Sequence, residues 1–199
     1  MRLTKLRFRK LTILLSAKNA SEMIPYKRHT LSNGLTVAVN RDRQSKLAAV
    51  NILYKVGARN ENPARTGFAH LFEHLMFRGT RAVENFDLPV QMASGDNNAF
   101  TNNDYTDFYI TLPKDNLETA LWLESDRMEG LDITPAKLEA EKKVVIEEFR
   151  QRYLNQPYGD QTMLLRALAY KVHPYRWAAI GLATDHIAGA TLADVESFY

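Results

Sequence analysis

The string His70-Leu71-Phe72-Glu73-His74 combines two metal-binding side chains with a carboxylate, in the inverse of the more common order of zinc-binding helices. Residues four apart on a helix lie on the same face, so both imidazoles can contact one metal ion. Glu73 precedes the second histidine, and its carboxylate can reach a water on that metal. Two such histidines are also typical of a surface pair or of buried structural groups. The metal hypothesis therefore needs support from the rest of the chain.

Composition limits the chemistry of any such site. The 199 residues suffice for one domain with a substantial core, but not for two large ones. The sequence has no cysteine, so a metal must be bound by His, Asp or Glu. This ligand set favours zinc or another first-row divalent ion over an iron–sulfur cluster or cuprous copper.

The net charge of +3 comes from the N-terminal segment. Residues 1–28 contain eight basic residues and one acidic residue, whereas the remainder contains 18 basic and 22 acidic residues. A nucleic-acid-binding domain would carry a basic stripe on its folded body, so we expect no nucleic-acid partner. The apolar stretches are all too short for a membrane span.

Residues 1–22 are predicted to be a basic leader or a disordered tail, and residues 23–199 the folded domain. The basic segment Met1–Lys10 precedes the short apolar run Leu11–Ala17, as in a secretory signal, although Lys18 stands where a cleavage site favours a small residue. The absence of acidic residues before Glu22 also fits an organellar presequence. A disordered or misassigned leader remains a third interpretation.

Turn residues and hydrophobic patterns predict the strands. Asn33-Gly34 marks a tight turn within a hairpin at residues 29–39, and Leu47–Tyr54 is β-prone and largely apolar. Two further strands are predicted near residues 99–103 and 108–112, joined by a polar turn at residues 104–106. Strands paired as hairpins, together with runs of helices, predict an α+β fold with an antiparallel-rich sheet and helices packed on one face.

Helix signals divide the rest of the chain. The metal-binding helix is expected to run to about Phe77, and a short helix is expected at residues 88–93. Asp115 and Glu118 resemble a capping box, which places three apolar side chains of the following helix towards the core: Leu117, Leu121 and Met128. Thr134-Pro135 opens a long helix, and the chain is predicted to be mostly helical from about residue 161.

The last residues form an apolar helix face that continues to the end of the sequence. Its members are Leu192, Val195, Phe198 and Tyr199. Because a domain rarely finishes with exposed aromatic residues in the middle of a helix, the sequence is interpreted as truncated, with an exposed apolar patch at this end.

The best third ligand lies on the helix that begins at Thr134. At about 100° per residue, Leu138, Val145 and Phe149 define its buried face. Glu148 lies close to that face, whereas Glu147 points away from it. Glu141 lies two turns before Glu148 on nearly the same line, where it can support the site. Buried carboxylates are costly unless they are paired or bound to metal, which favours a site here.

With these residues, the chain resembles the pitrilysin/insulinase family of zinc peptidases, the inverzincins, and looks closest to its bacterial members. The residues that carry the resemblance are His70, Glu73, His74, Glu141 and Glu148. The flanking strings Arg65–Ala69, Leu75–Phe77 and Asn97–Thr101 agree, and the similarity covers about residues 25–199. A bacterial protein with a weakly signal-like N-terminus is expected in the periplasm or the cytoplasm.

The resemblance implies one Zn²⁺ bound by His70, His74 and Glu148. It implies that Glu73 is the general base towards a zinc-activated water, and that Glu141 is a supporting acid. Asn98 and Ala99 would lie on an edge strand that pairs with a peptide substrate, although Asn97 and Asn98 beside Gly95 are also typical turn residues. Family members enclose the peptide with a second homologous half, on the same chain or on a partner subunit.

The resemblance predicts the N-terminal catalytic domain of a zinc endopeptidase acting on peptides or unfolded segments. One alternative is a non-catalytic partner or assembly subunit with the same fold, but such relatives typically lose the metal motif, which is complete here. A second alternative is a different zinc hydrolase with the same motif. It would require the flanking similarity to be accidental.

Overall fold

The computed structural model describes residues 24–198, which form two compact units divided after Ser45. The first unit is a hairpin of strands β1 (Lys27–Thr30) and β2 (Thr36–Val39), paired antiparallel. Gly34 at its turn has φ 89°, a conformation that glycine adopts without a steric cost. The predicted Asn-Gly hairpin is confirmed.

The second unit is built on a three-stranded antiparallel sheet. Its strands are β3 (Leu47–Tyr54), β4 (Asp96–Thr101) and β5 (Thr106–Pro113), in the order β3-β5-β4. Phe108 of β5 lies opposite Ile52 of β3 and Ala99 of β4, so these three side chains share one face of the sheet. The opposite face carries exposed side chains such as Asn51 and Asn98.

Seven α-helices accompany the sheet in the described part of the chain. They are α1 (Phe68–Leu75), α2 (Asp87–Met92), α3 (Leu117–Glu129), α4 (Pro135–Phe149), α5 (Gln161–Ala169), α6 (Thr184–Ala188) and α7 (Leu192–Phe198). Single 3₁₀ turns occur at Ala58–Asn60, Lys114–Asn116 and Pro174–Arg176, and a π-helical turn at Arg150–Leu154 continues α4. The predicted α+β class, with an antiparallel sheet and helices, is confirmed. No helix within residues 24–198 is long and apolar enough to cross a bilayer.

Two apolar clusters form the core. One joins the sheet to α2 and α3, and its buried members are Val50, Val83, Phe86, Val90, Ala93, Ile110, Leu112, Ala120 and Leu123. The other joins α1 to α4, α6 and α7, and its buried members are Phe68, Leu71, Leu75, Leu138, Val145, Phe149, Ala178, Ile180, Ile187, Ala190 and Val195. The second cluster fixes α1 against α4, the two helices that carry the predicted metal ligands.

The strands β4 and β5 differ from their predicted positions. The predicted turn at residues 104–106 is instead centred on Asn102–Tyr105, because the Asn102 side chain accepts hydrogen bonds from the backbone N–H groups of Asp104 and Tyr105. This Asx turn ends β4 at Thr101 and lets β5 begin at Thr106. Asn97 and Asn98 lie within β4, so the interpretation of these two residues as a turn is wrong.

The predicted buried face of α3 is also wrong. Leu121 is 52% exposed and Leu117 is 37% exposed, whereas Glu124 and Arg127 are almost fully buried. The Arg127 guanidinium lies 3.8 Å from the centroid of the Phe86 ring and is paired with Glu124. A buried ion pair over aromatic rings reverses the usual assignment of charged residues to the surface.

The start of α3 also departs from the predicted capping box. The helix follows a 3₁₀ turn at Lys114–Asn116, so Asp115 precedes the N-cap residue instead of occupying that position. The N-cap residue is Asn116, whose side chain donates to the carbonyl of Ala93 rather than capping the helix.

The last helix, α7, is packed rather than exposed. Val195 is buried in the second cluster, and the Phe198 ring lies 6.0 Å from that of Phe72. The apolar patch predicted at this end is therefore covered by α1, as far as Phe198. The predicted leader at residues 1–22 and the side chain of Tyr199 lie outside the described residues.

Candidate metal centre

The histidine pair lies on a short helix that is fixed on both sides. The helix α1 begins after Gly67 and ends at Leu75, two residues earlier than predicted, and a further turn leads to Gly79 at φ 100°. Phe68, Leu71 and Leu75 bury one side of α1 in the core. His70 and His74 point together from the adjoining face, with 4.8 Å between their ring centroids.

The third member of the cluster comes from α4. Thr134 caps this helix by accepting from the N–H of Lys137, and Pro135 occupies its first position, as predicted. Glu148 is half-buried and faces the histidines, whereas Glu147 is exposed. The two helices thus bring together residues that are far apart in sequence.

The cluster has the dimensions of a metal site. One ligand atom each from His70, His74 and Glu148 lies within 4.8 Å of the other two. Glu148 Oε2 is 3.4 Å from His74 Nε2 and 3.7 Å from His70 Nε2. Ligands bound tetrahedrally at zinc are separated by about 3.3 Å, given metal–ligand distances near 2.0–2.1 Å. The residues present therefore fit zinc.

Glu141 supports this cluster from behind His74. Its Oε2 lies 3.1 Å from His74 Nδ1, and its other oxygen accepts a hydrogen bond from Arg78. This contact leaves His74 Nε2 free to face Glu148, which is the usual way in which a carboxylate orients a metal-binding histidine. His70 Nδ1 is buried and has no such partner among the described residues.

The three candidate ligands differ in their pKa values. Burial, and to a lesser extent the neighbouring His74, lower the pKa of His70 to about 4. Burial also disfavours a charge on His74, but hydrogen bonds to Glu141 and Glu148 outweigh it and raise the pKa of His74 to about 9. The hydrogen bond with His74 and the nearby cations hold the pKa of Glu148 below its usual range. A metal cation would take the place of the proton on His74.

Glu73 occupies a different environment beside the same cluster. Its carboxylate accepts a hydrogen bond from Thr101 Oγ1 at 2.6 Å, which ties it to β4 instead of to the histidines. Burial raises the pKa of Glu73, and the hydrogen bond from Thr101 only partly offsets this effect. A carboxylate with a raised pKa beside a metal site is suited to transferring protons.

The cluster lines a groove of about 930 Å³ that the edge of the sheet borders. Asn98 and Ala99 belong to this lining, and β4 is one of the two edge strands of its sheet among residues 24–198. Asn98 Oδ1 accepts from the backbone N–H of Ala99, so this N–H is not used in the pairing with β5. Since alternate residues of an antiparallel strand direct their backbone groups to the same side, the backbone of Ala99 faces the groove side of the strand.

Sequence reasoning missed three contacts of the site. Arg152 Nη2 binds Glu148 Oε1 at 2.5 Å, and its spacing of four residues along a helix was a usable signal. Arg78 binds Glu141, and Thr101 binds Glu73, across separate elements. Pairs brought together only by tertiary packing leave no local pattern in the sequence.

Comparison with known proteins identifies the family. Residues 36–178 match the family described as insulinase (peptidase family M16). A zinc protease of Helicobacter pylori is 35% identical over 193 residues, which cover 95% of this chain and 43% of that protein. The beta subunit of the mitochondrial-processing peptidase of Saccharomyces cerevisiae is 28% identical over 199 residues, which cover 98% of this chain and 42% of that protein.

The fold agrees with this assignment. The crystal structure of a protease from Helicobacter pylori superposes with a TM-score of 0.84 at 36% identity, covering 87% of this chain and 42% of that one. The chain thus spans less than half the length of the relatives that it matches. With the family match over most of its length, a similar fold and a complete histidine–glutamate cluster, the chain belongs to the insulinase family of peptidases, family M16.

Proposed function

We propose that this chain is the catalytic domain of a zinc-dependent endopeptidase that hydrolyses peptide bonds in peptides or unfolded segments. The observation that carries the proposal is the convergence of His70, His74 and Glu148 beside Glu73, at the edge of an open strand. Membership of a peptidase family and the zinc proteases among its relatives support it.

His70, His74 and Glu148 would hold one Zn²⁺, with Glu141 orienting His74. When bound, zinc supplies a Lewis acid that polarises a peptide carbonyl and lowers the pKa of a water molecule towards about 7. These residues would provide three protein ligands, and a set of three, with room for a water or substrate, is typical of catalytic rather than structural zinc.

Glu73 serves as the proton carrier in this proposal. Its raised pKa makes the Glu73 carboxylate a stronger base. It can therefore accept a proton from the attacking water and later deliver this proton to the leaving amine. The hydrogen bond from Thr101 holds the Glu73 carboxylate against β4, through a contact that involves none of the three proposed ligands.

The free edge of β4 would hold the substrate. Backbone hydrogen bonds along an open edge bind an extended peptide without reading much of its sequence, which suits a broad peptidase. Asn98 lies on the exposed face of β4, and its side chain shields the Ala99 N–H in the absence of a peptide. An incoming peptide carbonyl would displace this side-chain contact.

A second homologous half is the proposed partner, on the same chain or on another subunit. One relative is itself described as a subunit, and this chain covers less than half of each relative's length. A peptide in the groove would contact only one edge strand of this domain. The second half would provide binding contacts on the opposite side of the peptide.

The alternative function is that of a non-catalytic partner or assembly subunit with the same fold. Such a subunit has no need of a metal cluster or of a base beside it. The presence of the three clustered ligand residues, with Glu73 in the same groove, therefore favours the catalytic function.

The test is the Glu73→Gln variant in a form of the protein that cleaves an unstructured peptide. Glutamine retains the size and the contact with Thr101 but cannot accept the proton. We expect normal zinc content and loss of cleavage by at least about 100-fold. Cleavage at the normal rate would exclude the proposed role of Glu73, and loss of zinc together with cleavage would make Glu73 a ligand.

A further inference from the structure

Glu61 is a buried carboxylate that the proposed chemistry does not use. Its side chain is only 7% exposed and lies outside the groove that contains the metal cluster. Three N–H groups donate to it: the backbone of Gly67 at 3.0 Å, the backbone of Ala69 at 2.8 Å and the Trp177 indole at 3.0 Å. Because all of these contacts lie outside the metal cluster, the role of Glu61 must follow from the segments to which it is hydrogen-bonded.

What Glu61 holds is the beginning of the metal-binding helix. The helix α1 starts from Gly67 at φ 93° and has no side-chain cap of the usual kind. A Cβ at Gly67 would lie 2.7 Å from the carbonyl oxygen of Ile180, so no side chain can be accommodated at this position. Glu61 supplies the missing cap from six residues earlier, by accepting N–H groups that the first turn of any helix leaves without partners.

Trp177 fixes the carboxylate in turn. The indole N–H is directed at both Glu61 and the carbonyl oxygen of Ala58, at 3.0 and 2.9 Å, and the ring is 2% exposed. Glu61 is therefore clamped between the first turn of α1 and a segment more than one hundred residues later in the chain.

The clamped turn is the one that carries the first proposed zinc ligand. Ala69, whose N–H donates to Glu61, directly precedes His70 in the first turn of α1. A zinc site tolerates only small displacements of its ligands, of about 0.5 Å. A shift of this turn would move His70 relative to Glu148, which lies on the separate helix α4.

We propose that Glu61, held by Trp177, is a positioning residue that sets the location of His70 and thereby the zinc affinity of the site. The inference rests on the proposed zinc function and adds to it a requirement outside the ligand cluster. It concerns metal affinity directly, so it can be tested without peptide cleavage.

Glu61→Gln is the informative substitution because it retains size but removes one acceptor. One carboxylate oxygen serves Gly67 and Trp177, and the other serves Ala69. The glutamine amide group must place its NH₂ against at least one of these donors in either orientation. We expect zinc affinity to fall about tenfold, the lower end of the effect found for groups that orient metal ligands indirectly.

Trp177→Phe provides a second variant that keeps an aromatic ring but removes the N–H donor. It removes the hydrogen bond from the indole but leaves those from the Gly67 and Ala69 N–H groups to Glu61. A smaller loss of zinc affinity than in Glu61→Gln is therefore expected. Glu124→Gln is the matched control, because Glu124 is also a buried, paired carboxylate but lies on α3 against Arg127. It should destabilise the fold without changing zinc affinity.

The experiment measures zinc affinity of the four proteins by competition with a chromogenic chelator, at a temperature where circular dichroism shows each to be folded. The visible absorption of bound Co²⁺ then reports ligand geometry. Weaker zinc binding and an altered Co²⁺ spectrum in Glu61→Gln and Trp177→Phe, but not in Glu124→Gln, would support the inference. Unchanged affinity in the Glu61 variant, or an equal loss in the control, would overturn it. Absence of zinc binding by the unaltered chain would overturn the zinc function itself, and this inference with it.

Discussion

Four glutamates near α1 differ in pKa because their surroundings differ. Burial raises the pKa of Glu73 and, to about 7, that of Glu61, whereas adjacent cations and imidazoles hold the pKa of Glu141 and Glu148 below their usual range. Carboxylates whose environments push their pKa values apart commonly have separate roles. Here Glu141 and Glu148, whose pKa values are lowered, face the histidines. Glu73 lines the same groove, whereas Glu61 lies outside it, against the first turn of α1.

Glu61 should make the stability of the metal-free protein depend on pH. Its pKa is raised from 4.5 to about 7 by burial, so the folded state binds the proton more tightly than the unfolded state. The contribution to stability is therefore fully present below pH 4.5 and is lost as the pH rises through about 7. The loss amounts to at most about 3 kcal/mol at 1.36 kcal/mol per pKa unit.

Urea unfolding of the metal-free chain and of Glu61→Gln between pH 5 and 8 measures this effect. The free energy of unfolding of the unaltered chain should fall relative to that of the glutamine variant as the pH increases. Glu147→Gln, which changes an exposed carboxylate, serves as the control. Parallel pH profiles for the chain and its Glu61 variant would show that Glu61 titrates normally.

Glu141→Gln tests the orienting contact on His74. Glutamine lacks the negative charge that strengthens the hydrogen bond with His74 Nδ1 and the pairing with Arg78. The imidazole of His74 is therefore held less firmly in its orientation. Zinc affinity should fall about 10–100-fold, as for other partners of metal-binding histidines. Arg78→Ala should cost less, because that side chain is 49% exposed. Competition with a chelator measures both, and equal affinity for all three proteins would contradict the role of Glu141.

Among the elements, β4 provides the most specific prediction about substrate binding. The N–H of Ala99 points away from β5, so proline is compatible with the pairing at this position. Ala99→Pro should leave folding and zinc binding intact but reduce cleavage about fivefold, which corresponds to the loss of about 1 kcal/mol for one backbone hydrogen bond.

Asn98→Pro is the matched comparison on the same strand. By the alternation of an antiparallel ladder, the N–H of Asn98 faces β5, so proline there removes a hydrogen bond of the sheet. Thermal unfolding should show a clear loss of stability for this variant alone. If Ala99→Pro cleaves peptides as fast as the unaltered protein, β4 is not the edge that binds the substrate.

The elements also show how much of the site could be predicted from sequence. Thr134 and Pro135 define the start of α4, and its apolar period then separates the inward Glu148 from the outward Glu147. The buried face of α3 could not be predicted, because it contains the charged residues Glu124 and Arg127. These two side chains are buried as an ion pair, with the Arg127 guanidinium over the Phe86 ring. Local periodicity determines which way a side chain points, but burial depends on what packs there.

Contacts between distant segments escaped prediction for the same reason. In the sequence, Glu61 is an ordinary charged residue between two predicted elements. In the structure, Trp177 contacts it from a distant segment, and no local pattern connects these two residues. The predicted bounds of β4 were wrong by a few residues, because a single side chain, that of Asn102, determines where the turn begins. Both errors come from tertiary or side-chain hydrogen bonds that hydrophobic patterns do not encode.

For the molecule as a whole, the proposed second half leads to a prediction about turnover. Holding a scissile bond in a reactive geometry accounts for several kcal/mol of a barrier, and one edge strand supplies only part of this. Joining or mixing this chain with a homologous second half should raise peptide cleavage by orders of magnitude, with little change in zinc affinity. Equal rates at equal zinc occupancy would mean that this domain is self-sufficient.

The central claim, that His70, His74 and Glu148 form a zinc site, is tested most directly by zinc stoichiometry in two neighbouring variants. Glu148→Gln removes the half-buried carboxylate that faces the histidines, and Glu147→Gln changes the exposed one beside it. Elemental analysis after dialysis should find about one zinc per chain in the unaltered protein and in Glu147→Gln, and almost none in Glu148→Gln. Full zinc content in Glu148→Gln together with none in Glu147→Gln would contradict the account.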